Sequence, residues 1–126
     1  MGHYFRGATV VWNNQSVGNG DKSAPAYTWG KSIAVFIDNL GSNPHTFALQ
    51  AAETGVQQPG LNEFDPSLTD GGLTWFNVNG FDSLTVAANA KTVWNVPNFT
   101  PSLVRLICTA GTANAITAVI AVYGPA

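Results

Sequence analysis

Apolar and polar positions alternate with a period of two along much of the chain, which predicts strands rather than helices. The clearest run covers 31–39, where Ile33, Val35 and Ile37 occupy every second position. A second run, 46–52, alternates in the same way. Successive side chains of a strand point to opposite faces, so each run predicts a strand with one face in a core. We expect the two strands to form a hairpin around the turn at 41–44, which contains Gly, Ser, Asn and Pro.

Six further segments have the alternation or the β-branched and aromatic content of strands. They lie at 8–12, 74–78, 81–86, 91–96, 103–109 and 115–123. The pair Asn79-Gly80 predicts a hairpin with a type I′ turn between 74–78 and 81–86, because both residues tolerate positive φ. Pro97 should end the strand before it. The segment 115–123 carries apolar residues on both faces and is therefore expected to be a central strand.

These eight strands predict an all-β fold. No apolar pattern of helical period continues for more than one turn, and 126 residues fit one domain. We expect a single-domain eight-stranded sandwich of the jelly-roll type over 1–126, with a small β-barrel as the alternative. Three stretches fall outside this plan: a loose N-terminal arm at 1–7, a polar segment at 13–30 that contains Gly and Pro, and a long loop at 53–72.

Composition adds a shortage of charge to this picture. Hydrophobic residues make up 45% of the chain, which excludes disorder by composition. Charged residues make up only 10%, against about 25% in an average soluble domain. Charged side chains are depleted where protein surfaces meet, because removing them from water is costly. We therefore expect the protein to form a homo-oligomer.

The same numbers exclude several classes of partner. Five scattered Lys and Arg residues and a net charge of −2 do not provide the cationic cluster that nucleic-acid binding requires. No apolar stretch approaches the length of a membrane span. The first residues lack the apolar core of a signal peptide, so synthesis in the cytoplasm is expected.

The candidate chemical groups are sparse, and the sequence favours neither an enzyme nor a bound cofactor or metal. Four of the seven acids lie in the loop 53–72, whereas paired-acid catalysis needs carboxylates held on rigid elements. His45 is expected to be a half-exposed turn residue, and Cys108 a small buried hydrophobe within a strand. The acidic stretch 65–72 admits a calcium loop, but turn chemistry explains it equally well.

The tryptophans leave two interpretations open. Trp12, Trp29 and Trp94 neighbour polar residues, so each can pack in the core or lie exposed. Exposed rings at Trp12 and Trp29 would suit stacking on a sugar or a protein interface.

The second half of the chain resembles a known class of protein. The segments 83–96, 104–109 and 116–122 are similar to the small β-sandwich subunits of bacteriophage virions, nearest to head decoration or cement proteins. This resemblance implies a structural virion protein that is made in the host cytoplasm and binds capsid protein, with a homotrimer as the favoured state. We expect the contacts to come from the N-terminal arm and the long loop, and the candidate residues are Tyr4, Phe5, Glu63, Phe64 and Asp65. A carbohydrate-binding or host-adhesion module that uses Trp12 and Trp29 is the alternative.

Overall fold

The computed structural model describes residues 3–28, 32–52, 75–99 and 101–125, and their regular secondary structure is entirely β. The described residues contain no helix, and hence none that is long and apolar enough to cross a membrane. Nine strands are present in these ranges: β1 (His3–Val17), β2 (Ala26–Tyr27), β3 (Ser32–Asn39), β4 (His45–Ala52), β5 (Phe76–Asn77), β6 (Leu84–Val86), β7 (Lys91–Pro97), β8 (Leu103–Ala110) and β9 (Asn114–Pro125).

The strands form two antiparallel sheets. The four-stranded sheet has the order β1-β9-β3-β7. The five-stranded sheet has the order β2-β8-β4-β5, and β6 also pairs with β4. Since β5 and β6 lie one after the other along the same edge of β4, they occupy a single strand position.

Successive strands alternate between the sheets in the manner of a jelly roll, except that β4, β5 and β6 follow one another in the five-stranded sheet. Strands β1, β3, β7 and β9 belong to one sheet, while β2, β4, β5, β6 and β8 belong to the other. Counting β5 and β6 as one broken strand gives eight positions, which is the double Greek key of a jelly roll. The predicted all-β sandwich is confirmed.

The core lies between the inner faces of the two sheets. Val35, Ile37 and Ile120 of the four-stranded sheet and Phe47 and Leu106 of the five-stranded sheet are almost completely buried. Burying a side chain of this size contributes about 1.5–3 kcal/mol. The predicted central strand is confirmed, because β9 lies between β1 and β3.

The predicted hairpin of 31–39 with 46–52 is wrong, because β3 and β4 belong to different sheets. β3 pairs with β7 and β9, whereas β4 pairs with β8, β5 and β6. The segment between them is therefore a crossing from one sheet to the other. The amide of Asn39, fully buried, supports this crossing by donating to the Asn43 carbonyl at 2.8 Å. Alternation shows that each strand has an inner face, but it does not reveal which strand lies beside it.

The predicted type I′ hairpin at Asn79-Gly80 is also wrong, although a turn is present. Phe81 N donates to the Val78 carbonyl at 2.9 Å. Gly80 has φ +84°, while Asn79 is not among the residues with positive φ, so the turn resembles type II. The flanking strands pair with β4 and not with each other.

The N-terminal segment differs from the expected loose arm. From His3 onward it belongs to β1, and its first residues pair with the end of β9, His3 opposite Pro125. β1 is thus longer than the predicted strand at 8–12. The expectation that 13–30 contains no strand is wrong, because β1 continues to Val17 and β2 occupies Ala26–Tyr27. The segment 53–72 lies outside the described residues.

Candidate functional site

The outer face of the four-stranded sheet is the most distinctive surface of the described residues. On β3, Val35 and Ile37 point into the core, so Phe36 between them points outward and is 40% exposed. On β9, Ala118 and Ile120 are buried, so Val119 points outward. We call this surface the outer face.

Four bulky apolar side chains cross the outer face in one row, one from each strand. Val10 lies opposite Val119, Val119 opposite Phe36, and Phe36 opposite Val93. Val10 and Val93 are 54% and 48% exposed. We call this row the apolar stripe. Directly opposed residues have Cβ atoms about 4.5–5.5 Å apart, so the stripe is continuous across the sheet.

The stripe is flanked by small and aromatic residues on one side. The next row contains Ala8, Ala121 and Ala34, in which Ala121 is the cross-strand partner of the other two. Beyond it, Phe5 and Tyr123 form an edge-to-face pair with ring centroids 5.7 Å apart. Phe5 is 61% exposed.

The other side of the stripe carries one ion pair. Lys91 and Asp38 are cross-strand partners, and Lys91 Nζ lies 3.9 Å from Asp38 Oδ2. Thr117 completes this row on β9. Exposed pairs of this kind contribute little to stability. Its two charges cancel, so the row adds no net charge to the outer face.

A shallow groove of 570 Å³ follows the stripe and the polar row. Its lining includes Phe36, Val93 and Val119 together with Asp38, Lys91 and Thr117. The groove therefore combines an apolar wall with a wall of hydrogen-bonding groups.

Both edges of the four-stranded sheet are poorly suited to pairing with another strand. β7 begins at Lys91 and ends at Pro97, and neither residue favours edge pairing. β1 has three register shifts against β9, and such irregularities interrupt an edge. Contact with another protein is therefore favoured at the outer face and not at the edges.

The expectation of a half-exposed His45 is wrong, because its side chain is buried. His45 is the first inward-pointing residue of β4, and its ring stacks on Phe47. Nε2 lies 2.8 Å from the Val17 carbonyl oxygen and Nδ1 lies 3.2 Å from that of Asn43. Both ring nitrogens thus face backbone acceptors, which makes His45 a structural bridge between strands.

Cys108 is buried within β8, as predicted. Burial raises the pKa of its thiol, a hydrogen bond with the Ala110 backbone lowers it, and the nearby charge of Asp21 raises it further. The thiol therefore stays protonated and unreactive at neutral pH.

The tryptophans differ in burial in the structure. Trp12 is buried beside Phe47, with ring centroids 5.7 Å apart, so it offers no face to a sugar and that assignment is corrected. Trp94 is half-buried and packs on Phe81. Trp29 lies outside the described residues.

The predicted contact residues are only partly accounted for. Phe5 lies on the outer face, and the backbone of Tyr4 pairs with Gly124 in β9. Glu63, Phe64 and Asp65 lie outside the described residues, as does the acidic stretch 65–72. Within the described ranges, no three His, Cys, Asp or Glu side chains come together in a way that could hold a metal ion.

The apolar stripe could not be predicted from the alternation of single strands, because it exists only when the register between the four strands is known. Comparison with models of known protein families and with curated proteins found no match. The outer face is therefore the feature of the described residues that bears most directly on function.

Proposed function

We propose that this protein is a structural virion subunit, a capsid decoration protein that acts by binding other protein subunits and not by catalysis. The observation that carries the proposal is the apolar outer face. Four of the seven large hydrophobic side chains that are exposed among the described residues lie on it: Phe5, Val10, Phe36 and Val93.

Leaving an apolar surface of this kind exposed to water is unfavourable in free energy. Contiguous apolar patches are uncommon on monomeric proteins and mark interaction sites when they occur. The only charged side chains that β3, β7 and β9 contribute are Asp38 and Lys91, so docking on this face removes few charges from water. The low overall charge of the chain agrees with this use.

The fold is compatible with the proposal. Jelly rolls build viral capsid domains, but they also build lectins and cupins, so the fold alone does not select a function. The carbohydrate-binding alternative relied on Trp12 and Trp29, and the burial of Trp12 removes one of these two rings. We therefore favour protein–protein association.

The contact with capsid protein proposed here uses Phe5. Its ring is the most exposed apolar group on the outer face and lies at the end of the sheet where His3 pairs with Pro125. β1 begins and β9 ends at this point.

The test is to purify virus particles on a density gradient from a culture that produces the chain. We expect the protein to migrate with the capsid, and Phe5→Ser to lower the amount bound at least tenfold. Tyr27→Ser is the matched control, because Tyr27 is 50% exposed but belongs to the five-stranded sheet. A wild-type chain that stays at the top of the gradient, apart from the particles, would refute the proposed function.

A further inference from the structure

We infer that the apolar stripe is the contact with a second copy of this chain, related by a two-fold axis that runs parallel to the strands, midway between β9 and β3. The inference deepens the proposed function by naming the occupant of the stripe. It can be tested on the purified protein alone, without a capsid.

A rotation about this axis brings the stripe, the alanine row and the polar row each onto the same row of the second copy, while Phe5 lies at the end of the sheet, outside these three rows. β9 then faces β3 of the second copy, and β1 faces β7. Val119 meets Phe36 of the second copy, and Val10 meets Val93. The stripe is therefore complementary to itself, as a two-fold interface requires.

The polar row is also compatible with this rotation. Asp38 comes to lie opposite Thr117 of the second copy, whose hydroxyl can donate to a carboxylate. Lys91 comes to lie opposite β1 of the second copy near Asn14, which is exposed and whose backbone amide donates to the Thr117 hydroxyl. No like charges face each other.

Two other two-fold axes in the contact plane fit less well. An axis perpendicular to the strands along the stripe would place Asp38 over Ala34 of the second copy and Lys91 over Asn95. It would thus set the Asp38 carboxylate against an apolar methyl group, with the Lys91 ammonium as its one partner. An axis between β3 and β7 would overlap only those two strands and leave Val10 and Val119 uncovered.

The area of the outer face bears on the expected affinity between the two copies. Four strands at about 4.8 Å spacing, each contributing about seven residues, cover about 20 Å by 23 Å. The two faces together cover about 900 Å², which is below the size of a stable interface and within the range of weak, transient ones, so we expect micromolar association. A two-fold interface of this kind gives an even number of subunits, whereas the resemblance implied a trimer.

The first test is light scattering across micromolar concentrations. We expect the mass to rise toward twice the 13.2 kDa of the monomer, and Phe36→Asp to keep it at the monomer value. Phe76→Asp is the control, because Phe76 is 67% exposed on the five-stranded sheet and should leave the dimer intact. A wild-type monomer or trimer would overturn the inference.

The second test identifies the axis. Sheets pack about 10 Å apart, so a bis-maleimide of about that span should link Val10→Cys in one copy to Val93→Cys in the other. We expect cross-linked dimer only when the two single variants are mixed, because the proposed axis separates like positions by most of the sheet width. The native Cys108 is buried and does not compete.

Each competing arrangement predicts a different cross-linking result. The perpendicular axis would link each variant to itself, and the axis between β3 and β7 would link Val93→Cys to itself. Either result would overturn the inference. If the chain binds virus particles but does not self-associate through the stripe, the proposed function stands and the dimer inference fails. If the purified chain dimerises through the stripe but does not bind particles, the dimer inference stands and the proposed function fails.

Discussion

Asn39 shows how one buried polar residue directs the chain from one sheet to the other. Its side-chain amide lies within hydrogen-bond distance of the carbonyls of Asn43, Val86 and Ala87. Its oxygen accepts from the Gly41 amide and from the side chain of Asn114. These hydrogen bonds join four segments: the end of β3, the turn at 41–43, residues 86–87 and Asn114. An unsatisfied polar group at this buried position would cost about 1–3 kcal/mol.

Gly80 permits a separate test of local geometry. Gly80→Val should lower the free energy of unfolding by about 1–2 kcal/mol, because a β-branched residue is strained at positive φ. Apart from the two chain neighbours, no described residue has an atom within 4 Å of the position of an added Cβ, so the cost comes from the backbone and not from a clash. Urea denaturation measures the change.

The control for this variant is Gly80→Asn, which should lose less stability because Asn tolerates the left-handed region. Equal unfolding midpoints for the wild type and Gly80→Val would contradict the φ of +84° at this position.

At the scale of elements, β9 combines a core position and an outer-face position at consecutive residues. Ile120→Asp should prevent folding, because the carboxylate would be buried without a partner, and Ile120 is fully buried. Val119→Asp should fold, since this side chain points outward, but should abolish self-association. Circular dichroism and light scattering separate the two effects, and a folded, soluble Ile120→Asp variant would show that β9 is not central.

The strands themselves were largely predictable because their signals are local. Lys91 to Val96 is β-branched, alternating and followed by Pro97, and β7 occupies Lys91–Pro97. The predicted strand at 103–109 likewise appears as β8, with Cys108 buried in it. The pairing of β3 with β7 and β9 was not predictable, because these partners are more than fifty residues away along the chain.

For the whole molecule, the inferred dimer links stability to concentration. A second copy that binds only the folded chain stabilises it by mass action. The melting temperature of the wild type should therefore rise by a few degrees between about 5 and 500 µM, while Phe36→Asp should melt at a constant temperature. Calorimetry at both concentrations measures this, and an unchanged wild-type melting temperature would argue against dimerisation.

The sequence by itself determined that the chain is all-β, that 115–123 is a central strand and that few charges are available for its surface. These features depend on residue type and on a two-residue period, which act locally. Only the tertiary structure decided that β3 and β4 lie in different sheets, that His45 and Trp12 are buried, and that four strands align their apolar side chains in one stripe. Strand register depends on contacts between distant segments, so a property shared by Val10, Phe36, Val93 and Val119 exists only in the folded molecule.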